Sequence, residues 1–237
     1  QQIPIYLALE DMPNETFVLD IQWLPGSQVL LSIITNRFIK VYDLANDTFC
    51  PVFNFSPADD SLIIGGTFGL DEHNQPLLYA LTQEGQLYYQ EYLDSGGPCF
   101  FTQTVDVSQI SGVSGQGATS LYYSLLLETL FVSFKGGNTF ACKVNLKDGS
   151  LIESKIICST TTDSESSLAQ LSPFSHWTEA PDLPGVLLCV SQQNHSSVIA
   201  LQFTIDQQIQ YYEECNSGSG SQVNGLIGIR RSSTDSN

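Results

Sequence analysis

Six cysteines, three histidines and a scatter of carboxylates are the residues of this chain whose chemistry is worth testing first. Zinc would need Cys or His at paired short spacings; no two cysteines have the C-x₂-C spacing, and His73, His176 and His195 lie far apart. The stretch GVSGQG, from Gly112, approaches a nucleophile elbow but carries Gln116 where G-x-S-x-G requires glycine, and no strand-turn-helix pattern surrounds it. Phosphate-cradling patterns are absent, since neither G-x-x-x-x-G-K-[ST] nor G-x-G-x-x-G between a strand and a helix occurs. PADD from Pro57 and LDEHN from Leu70 are carboxylate-rich without matching a calcium loop, and read as solvated turns. His176, next to Trp177 and close to Glu179, has no accompanying nucleophile and reads as an ordinary strand histidine. The expectation is a segment with no catalytic residue, no bound cofactor and no metal site.

The cysteines then bear on environment rather than catalysis. Cys142, Cys158 and Cys189 sit inside apolar strand-like runs, where a free thiol packs as a small hydrophobe, while Cys50, Cys99 and Cys215 fall nearer strand ends and could pair. Four N-x-S/T sequons, at Asn14, Asn46, Asn54 and Asn194, keep open a secreted or cell-surface β-rich binding module as the alternative to a reduced protein of the cytoplasm or nucleus. The net charge of −17 argues against nucleic acid and anionic membrane, because phosphates would be repelled. The apolar runs, such as VLLSII and GVLLCV, are of strand length and too short for a membrane helix.

What positions these residues is a series of strands. Apolar segments alternate or form short β-branched and aromatic runs, and no window carries a helical period, so the chain reads as all-β. The strands fall in groups of four, starting at Phe17, Gln28, Arg37 and Pro51, then Ser61, Pro76, Gly85 and Cys99. The third group starts at Thr119, Leu127, Asn138 and Leu151, and the fourth at Phe174, Gly185, Ser196 and Gln207. A seventeenth strand from Val223 would open a fifth group. First strands recur roughly 45 to 60 residues apart, near the period of four-stranded propeller blades. The expected architecture is therefore a degenerate WD-type β-propeller: one partial ring over residues 1–237, with blades at about 17–56, 61–108, 119–158 and 172–215 and the start of another at 222–231. Such an arc leaves unpaired edges and an apolar blade face, so the chain on its own is expected to associate.

Two local patterns refine the picture. In NRFIKVYDL, Tyr42 and Asp43 stand where WD repeats carry their Trp-Asp pair, the aromatic to pack between blades and the acid to cap the next turn. A faint repeat links QWLPGSQVLLSI with HWTEAPDLPGVLLCV. It would place Trp23, Pro25 and Gly26 of the first blade in positions equivalent to Trp177, Pro184 and Gly185 of the fourth.

FVLDIQWLPGSQVLLSIITNRFIKVYDLANDTFCPVFNF, Phe17 to Phe55, resembles a passage of the giant UBR-box ubiquitin ligases, the family called Purity of essence or Calossin in flies and BIG in plants. The shared elements are Trp23 to Gln28, Phe38 to Leu44 and Pro51 to Phe55, with looser likeness at Ser120 to Ala141 and His176 to Gln192. The resemblance implies a non-catalytic propeller scaffold or interaction segment of a ligase acting in N-degron and protein-quality-control ubiquitination. Its partners would be other domains of the parent, protein partners and substrates. Zinc would be bound elsewhere in the parent, and calmodulin, which family members bind, would not be bound through this segment.

Overall fold

A computed structural model describes residues 4–5, 15–57, 59–91, 104–110, 112, 115–159, 173–180, 182–193, 197–204 and 209–216. The expected seventeenth strand, the sequons at Asn14 and Asn194, His195, Cys99 and the side chain of Cys215 lie outside the described residues.

Among the described residues sixteen strands form four antiparallel sheets, each a meander in chain order. The first sheet holds β1 (Val18–Trp23), β2 (Leu30–Thr35), β3 (Ile39–Asp43) and β4 (Phe53–Phe55). The second holds β5 (Ile63–Leu70), β6 (Pro76–Thr82), β7 (Gln86–Glu91) and β8 (Thr104–Asp106). The third holds β9 (Ala118–Ser124), β10 (Thr129–Phe134), β11 (Thr139–Val144) and β12 (Leu151–Cys158). The fourth holds β13 (Phe174–Glu179), β14 (Val186–Ser191), β15 (Ser197–Phe203) and β16 (Ile209–Asn216). First strands pack beside first strands, β1 on β5, β5 on β9 and β9 on β13, so the sheets fan out from a common inner edge. This is the blade arrangement of a propeller. A single helical turn not expected from the sequence, α1 (Val107–Ile110), follows β8; the Asp106 carboxylate caps it by accepting from Ser108 Oγ (2.5 Å) and the Gln109 N–H (3.2 Å).

Three apolar cores separate the four sheets. Ile34, Ile39, Val41, Phe53 and Phe55 of the first sheet meet Ile63, Phe68, Leu78 and Ala80 of the second. Tyr79, Leu81 and Leu87 meet Tyr123, Leu130, Val132, Phe134 and Phe140 between second and third. Phe131, Ala141 and Cys158 meet Phe174, Trp177, Cys189, Ile199, Leu201 and Phe203 between third and fourth. Because successive side chains of a strand point to opposite faces, β10 gives Leu130 and Val132 to one core and Phe131 to the next; all six of its residues are buried. Among the described residues no such core joins the first and fourth sheets.

The face of the first sheet turned away from the second carries Ile21 and Trp23, 56% and 55% exposed. We expect the 237-residue chain to self-associate at tens of micromolar through this face. Analytical ultracentrifugation should show a shift toward monomer on Ile21→Ser with Trp23→Ser; unchanged association would place the contact elsewhere.

The turns divide into two rims. Links from first to second and third to fourth strands emerge on one side, the remaining links on the other. Neighbouring sheets are tied at both: Glu72 N–H donates to Leu146 O (3.0 Å) on the first rim, and Ile63 N–H to Asn36 O (3.0 Å) and Ala118 N–H to Gln83 O (2.9 Å) on the second. Among the described residues Cys50, Cys142 and Cys189 are free thiols; burial pushes that of Cys142 up to about 12. No helix in the described residues is long and apolar enough to cross a membrane.

Candidate functional site

The inner strands of all four sheets converge on a cavity of about 440 Å³. Asp20 and Gln22 of β1 reach it, with Gly65 and Gly66 of β5, Thr119 and Ser120 of β9, and Ser175, His176 and Trp177 of β13. A site at this junction follows from chain direction alone: each sheet contributes its first strand, so short polar side chains distant in sequence meet along one axis.

Local hydrogen bonds fix the lining. Gln22 Nε2 donates to Asp20 Oδ2 (2.6 Å) and to Gly66 O (3.2 Å), holding the first sheet to the second. Ser120 Oγ donates to Phe174 O (2.7 Å), holding the third to the fourth. Gly66 has no side chain for a physical reason, since a Cβ there would lie 2.7 Å from Ile39 Cδ1 and 3.2 Å from Ile34 Cγ2. Trp177 is buried against Phe131 and Tyr122, ring centroids 5.1 and 6.3 Å away, with Phe174 edge-on at 5.7 Å. The phenol of Tyr122 is shifted well above its ordinary range by burial, with the Glu179 carboxylate adding to it.

His176 is the conformationally unusual member. Its φ of 50° is left-handed, a strained state for a non-glycine residue, and it stands at a bulge where the β13–β14 register slips between Ser175 and Thr178. The bulge turns the imidazole outward, exposed on the cavity. Its Nδ1 lies 3.1 Å from Ser175 Oγ, while that hydroxyl donates onward to Val190 O (3.5 Å). Asp20, Tyr122 and His176 are the charged or titratable side chains of the lining, and among the described residues no group of three or more His, Cys, Asp or Glu could hold a metal ion. Hydroxyls, an amide, a carboxylate and an imidazole arranged this way suit recognition of a polar surface.

Apart from Trp177, which lines the cavity, the structural residues singled out in the sequence sit around this axis rather than in it. Leu24-Pro25-Gly26-Ser27 forms a turn closed by Ser27 N–H to Leu24 O (3.0 Å) with Gly26 at φ 76°. Leu183-Pro184-Gly185-Val186 makes the same turn in the fourth sheet, closed at 3.1 Å with Gly185 at φ 78°. The tryptophans before them are not equivalent. Trp23 pairs with Leu31, one residue into β2, and is exposed, whereas Leu187, one residue into β14, pairs with Glu179. The bulge and the longer approach to the turn put Trp177 two residues earlier, inside the core between third and fourth sheets. Asp43 accepts from the Ala45 N–H (3.0 Å) and from Asn46 Nδ2, closing the β3–β4 turn. Tyr42 is fully buried, its phenol pushed up to about 12 by burial and by the neighbouring Cys50 thiol. It pairs with Leu31 on the face that carries Trp23, away from the second sheet. Of the residues weighed in the sequence for chemistry or as structural motifs, His176 and Trp177 belong to the cavity lining; Asp20, Gln22, Thr119 and Ser120 carried no pattern that marked them for a site.

No family model matches the chain. Among curated proteins it is similar to the auxin transport protein BIG of Oryza sativa subsp. japonica, 30% identical over 229 residues, covering 97% of this chain and 4% of that one. It is similar also to the protein purity of essence of Drosophila pseudoobscura pseudoobscura, 29% identical over 241 residues, covering 93% and 4%. A probable E3 ubiquitin-protein ligase of Dictyostelium discoideum is 32% identical over 146 residues, covering 61% and 2%. The chain thus spans a few per cent of the length of the curated relatives it matches. Among solved structures it is similar to the Dos1 propeller, with a TM-score of 0.53 and 13% identity over 85% of this chain and 48% of that chain. A chain of the mitotic checkpoint complex gives 0.55 and 12% over 92% and 58%. At such identities the likeness is one of fold, and the fold is a β-propeller.

Proposed function

The chain belongs to the family of the giant proteins BIG and purity of essence, of which it matches one segment, and on that footing we propose that it is a non-catalytic propeller scaffold that docks partners or substrates within a giant ubiquitin ligase. The parent would act in N-degron and protein-quality-control ubiquitination in the cytoplasm and nucleus, with its zinc-binding, ubiquitin-transferring and calmodulin-binding parts in other segments. The observation that supports the docking role is the cavity where four inner strands bring Asp20, Gln22, Thr119, Ser175 and His176 together. The kinship with a probable E3 ubiquitin-protein ligase supports the ligase context.

The test uses the full-length parent carrying Asp20→Asn with His176→Ala, two side chains at the cavity whose loss leaves the inter-sheet cores intact. Affinity purification with quantitative mass spectrometry should show a subset of partners reduced by about tenfold, the loss of roughly 1.4 kcal/mol of binding. Ubiquitin discharge from the parent to free lysine should stay within about twofold in the same preparation. An unchanged partner set with impaired discharge would contradict the proposal.

A further inference from the structure

The two rims of the fan differ in a way the central cavity does not explain. On the rim formed by links from first to second and third to fourth strands, the described loops carry Asp47, Asp71, Glu72, Glu128, Asp148 and Asp182 against Lys147 and the imidazole of His73, which lies 3.7 Å from Glu72. The described segments of the opposite rim carry Glu15, Asp59, Asp60 and Glu84 against Arg37 and Lys135. Large apolar side chains follow the same division. Phe49, Leu125, Leu126 and Leu183 stand in loops of the acidic rim, 62%, 44%, 60% and 59% exposed; the opposite rim carries Phe17, ahead of β1.

Leucines at loop tips are unremarkable singly, but these are gathered and held. Glu179, at the end of β13, accepts from Ser124 Oγ (2.7 Å) and from the Leu126 N–H (3.2 Å), clamping the β9–β10 loop of the third sheet to the fourth. Leu183 follows in the next turn, fixed by Leu183 N–H to Ala180 O (3.2 Å) and Val186 N–H to Leu183 O (3.1 Å). Leu125 and Leu126 thus stand in a loop tied to the end of β13, and Leu183 stands in the turn that follows β13; the exposed carboxylates of Glu128 and Asp182 lie next to them in sequence. Apolar anchors on a rigid base lose little conformational freedom on binding. The charge around them selects the occupant: an acidic or neutral segment gains nothing from the rim, while Lys and Arg flanking an apolar stripe pair with it.

We propose that this acidic rim, at the junction of the third and fourth sheets, docks a basic amphipathic helix of a partner protein, its apolar stripe on Leu125, Leu126 and Leu183 and its cationic flanks against Glu128 and Asp182. The proposal rests on the reading of the chain as an interaction module and adds the chemical class of the partner. Hydrogen bonds from the Phe49 N–H to Asp47, and from the Ser150 hydroxyl and N–H to Asp148, hold both carboxyls below their usual range, so the rim keeps those charges throughout physiological pH.

Fluorescence polarisation on the 237-residue chain at low micromolar concentration provides the test. The probe is an 18-residue Leu/Lys amphipathic helical peptide, compared with a Leu/Glu peptide of identical apolar pattern. The Leu/Lys peptide should bind and the Leu/Glu peptide should not. Leu126→Ser with Leu183→Ser should weaken binding about tenfold, and Glu128→Gln with Asp182→Asn by several-fold with a shallower salt dependence. Asp59→Asn with Asp60→Asn, on the opposite rim, should leave affinity within about twofold. Equal binding of the two peptides, or equal loss from variants on either rim, would overturn the proposal; so would full affinity without the two leucines. All these positions are exposed, and circular dichroism of each variant checks that it is folded. Failure here with the cavity variants still releasing partners from the parent would remove this rim and leave the docking role standing.

Discussion

Replacing Phe131 by Ala should destabilise the chain by about 3–5 kcal/mol, read as a fall in the urea midpoint with unchanged slope. Phe131 sits in β10, paired with Tyr122 on one side and Ala141 on the other, and has no exposed surface. Its ring stacks on Trp177 at 5.1 Å and tilts against Phe203 at 5.2 Å, so it touches the first and third strands of the fourth sheet at once. Truncation removes both aromatic contacts, each worth about 0.5–1.5 kcal/mol beyond burial, and leaves a void between sheets whose backbones are held by four-stranded ladders and cannot collapse to fill it. Phe131→Leu, which keeps most of the volume, should cost less than half as much. A loss below about 1 kcal/mol for Phe131→Ala would mean that the third and fourth sheets do not pack face to face through this residue.

Gly69→Val should cost more than about 2 kcal/mol and Gly69→Ala about 1–2 kcal/mol, although glycine inside a strand is ordinarily a weak point that a larger residue improves. A Cβ at this position would stand 2.8 Å from Cζ and 2.9 Å from Cε1 of Tyr123. That ring cannot retreat, because it stacks on Tyr79 with centroids 5.6 Å apart and both residues are buried. The same strand has Gly65 with a prospective Cβ 3.1 Å from Leu121 Cβ, so β5 is stripped of side chains where β9 crosses it. A double-mutant cycle separates crowding from an intrinsic backbone effect: Tyr123→Leu should relieve most of the Gly69→Ala cost, giving a coupling of about 1 kcal/mol. Strict additivity would place the close approach elsewhere.

Much of this architecture was legible. Alternation in FVLDIQWL and RFIKVYDL, and turn residues in TNR, KGGN and LKDGS, are local consequences of a period-two backbone and of positive φ, and they predict sixteen strands in four groups. Both Leu-Pro-Gly turns follow from Pro and Gly alone. The glycines of SLIIGGTFGL were a different matter, since what excludes their side chains is Leu121, Tyr123 and Ile39, residues of other sheets. Trp177 was misplaced relative to Trp23 because a bulge changes the parity of a strand, and nothing in FSHWTE marks where the extra residue is absorbed. The cavity was hidden for the same reason. Asp20, Thr119 and Ser175 are unremarkable strand residues until three inter-sheet cores bring their strands to one axis.

A cryo-electron microscopy map of the full-length parent at side-chain resolution tests the central claim most directly. The account predicts four successive meander sheets over Val18 to Asn216 with β1, β5, β9 and β13 innermost around one axis, and a further blade packed on the face that carries Ile21 and Trp23. A map in which β1 packs directly on the fourth sheet to close a four-bladed ring, or in which the four sheets pair off as two sandwiches without a shared axis, would contradict it.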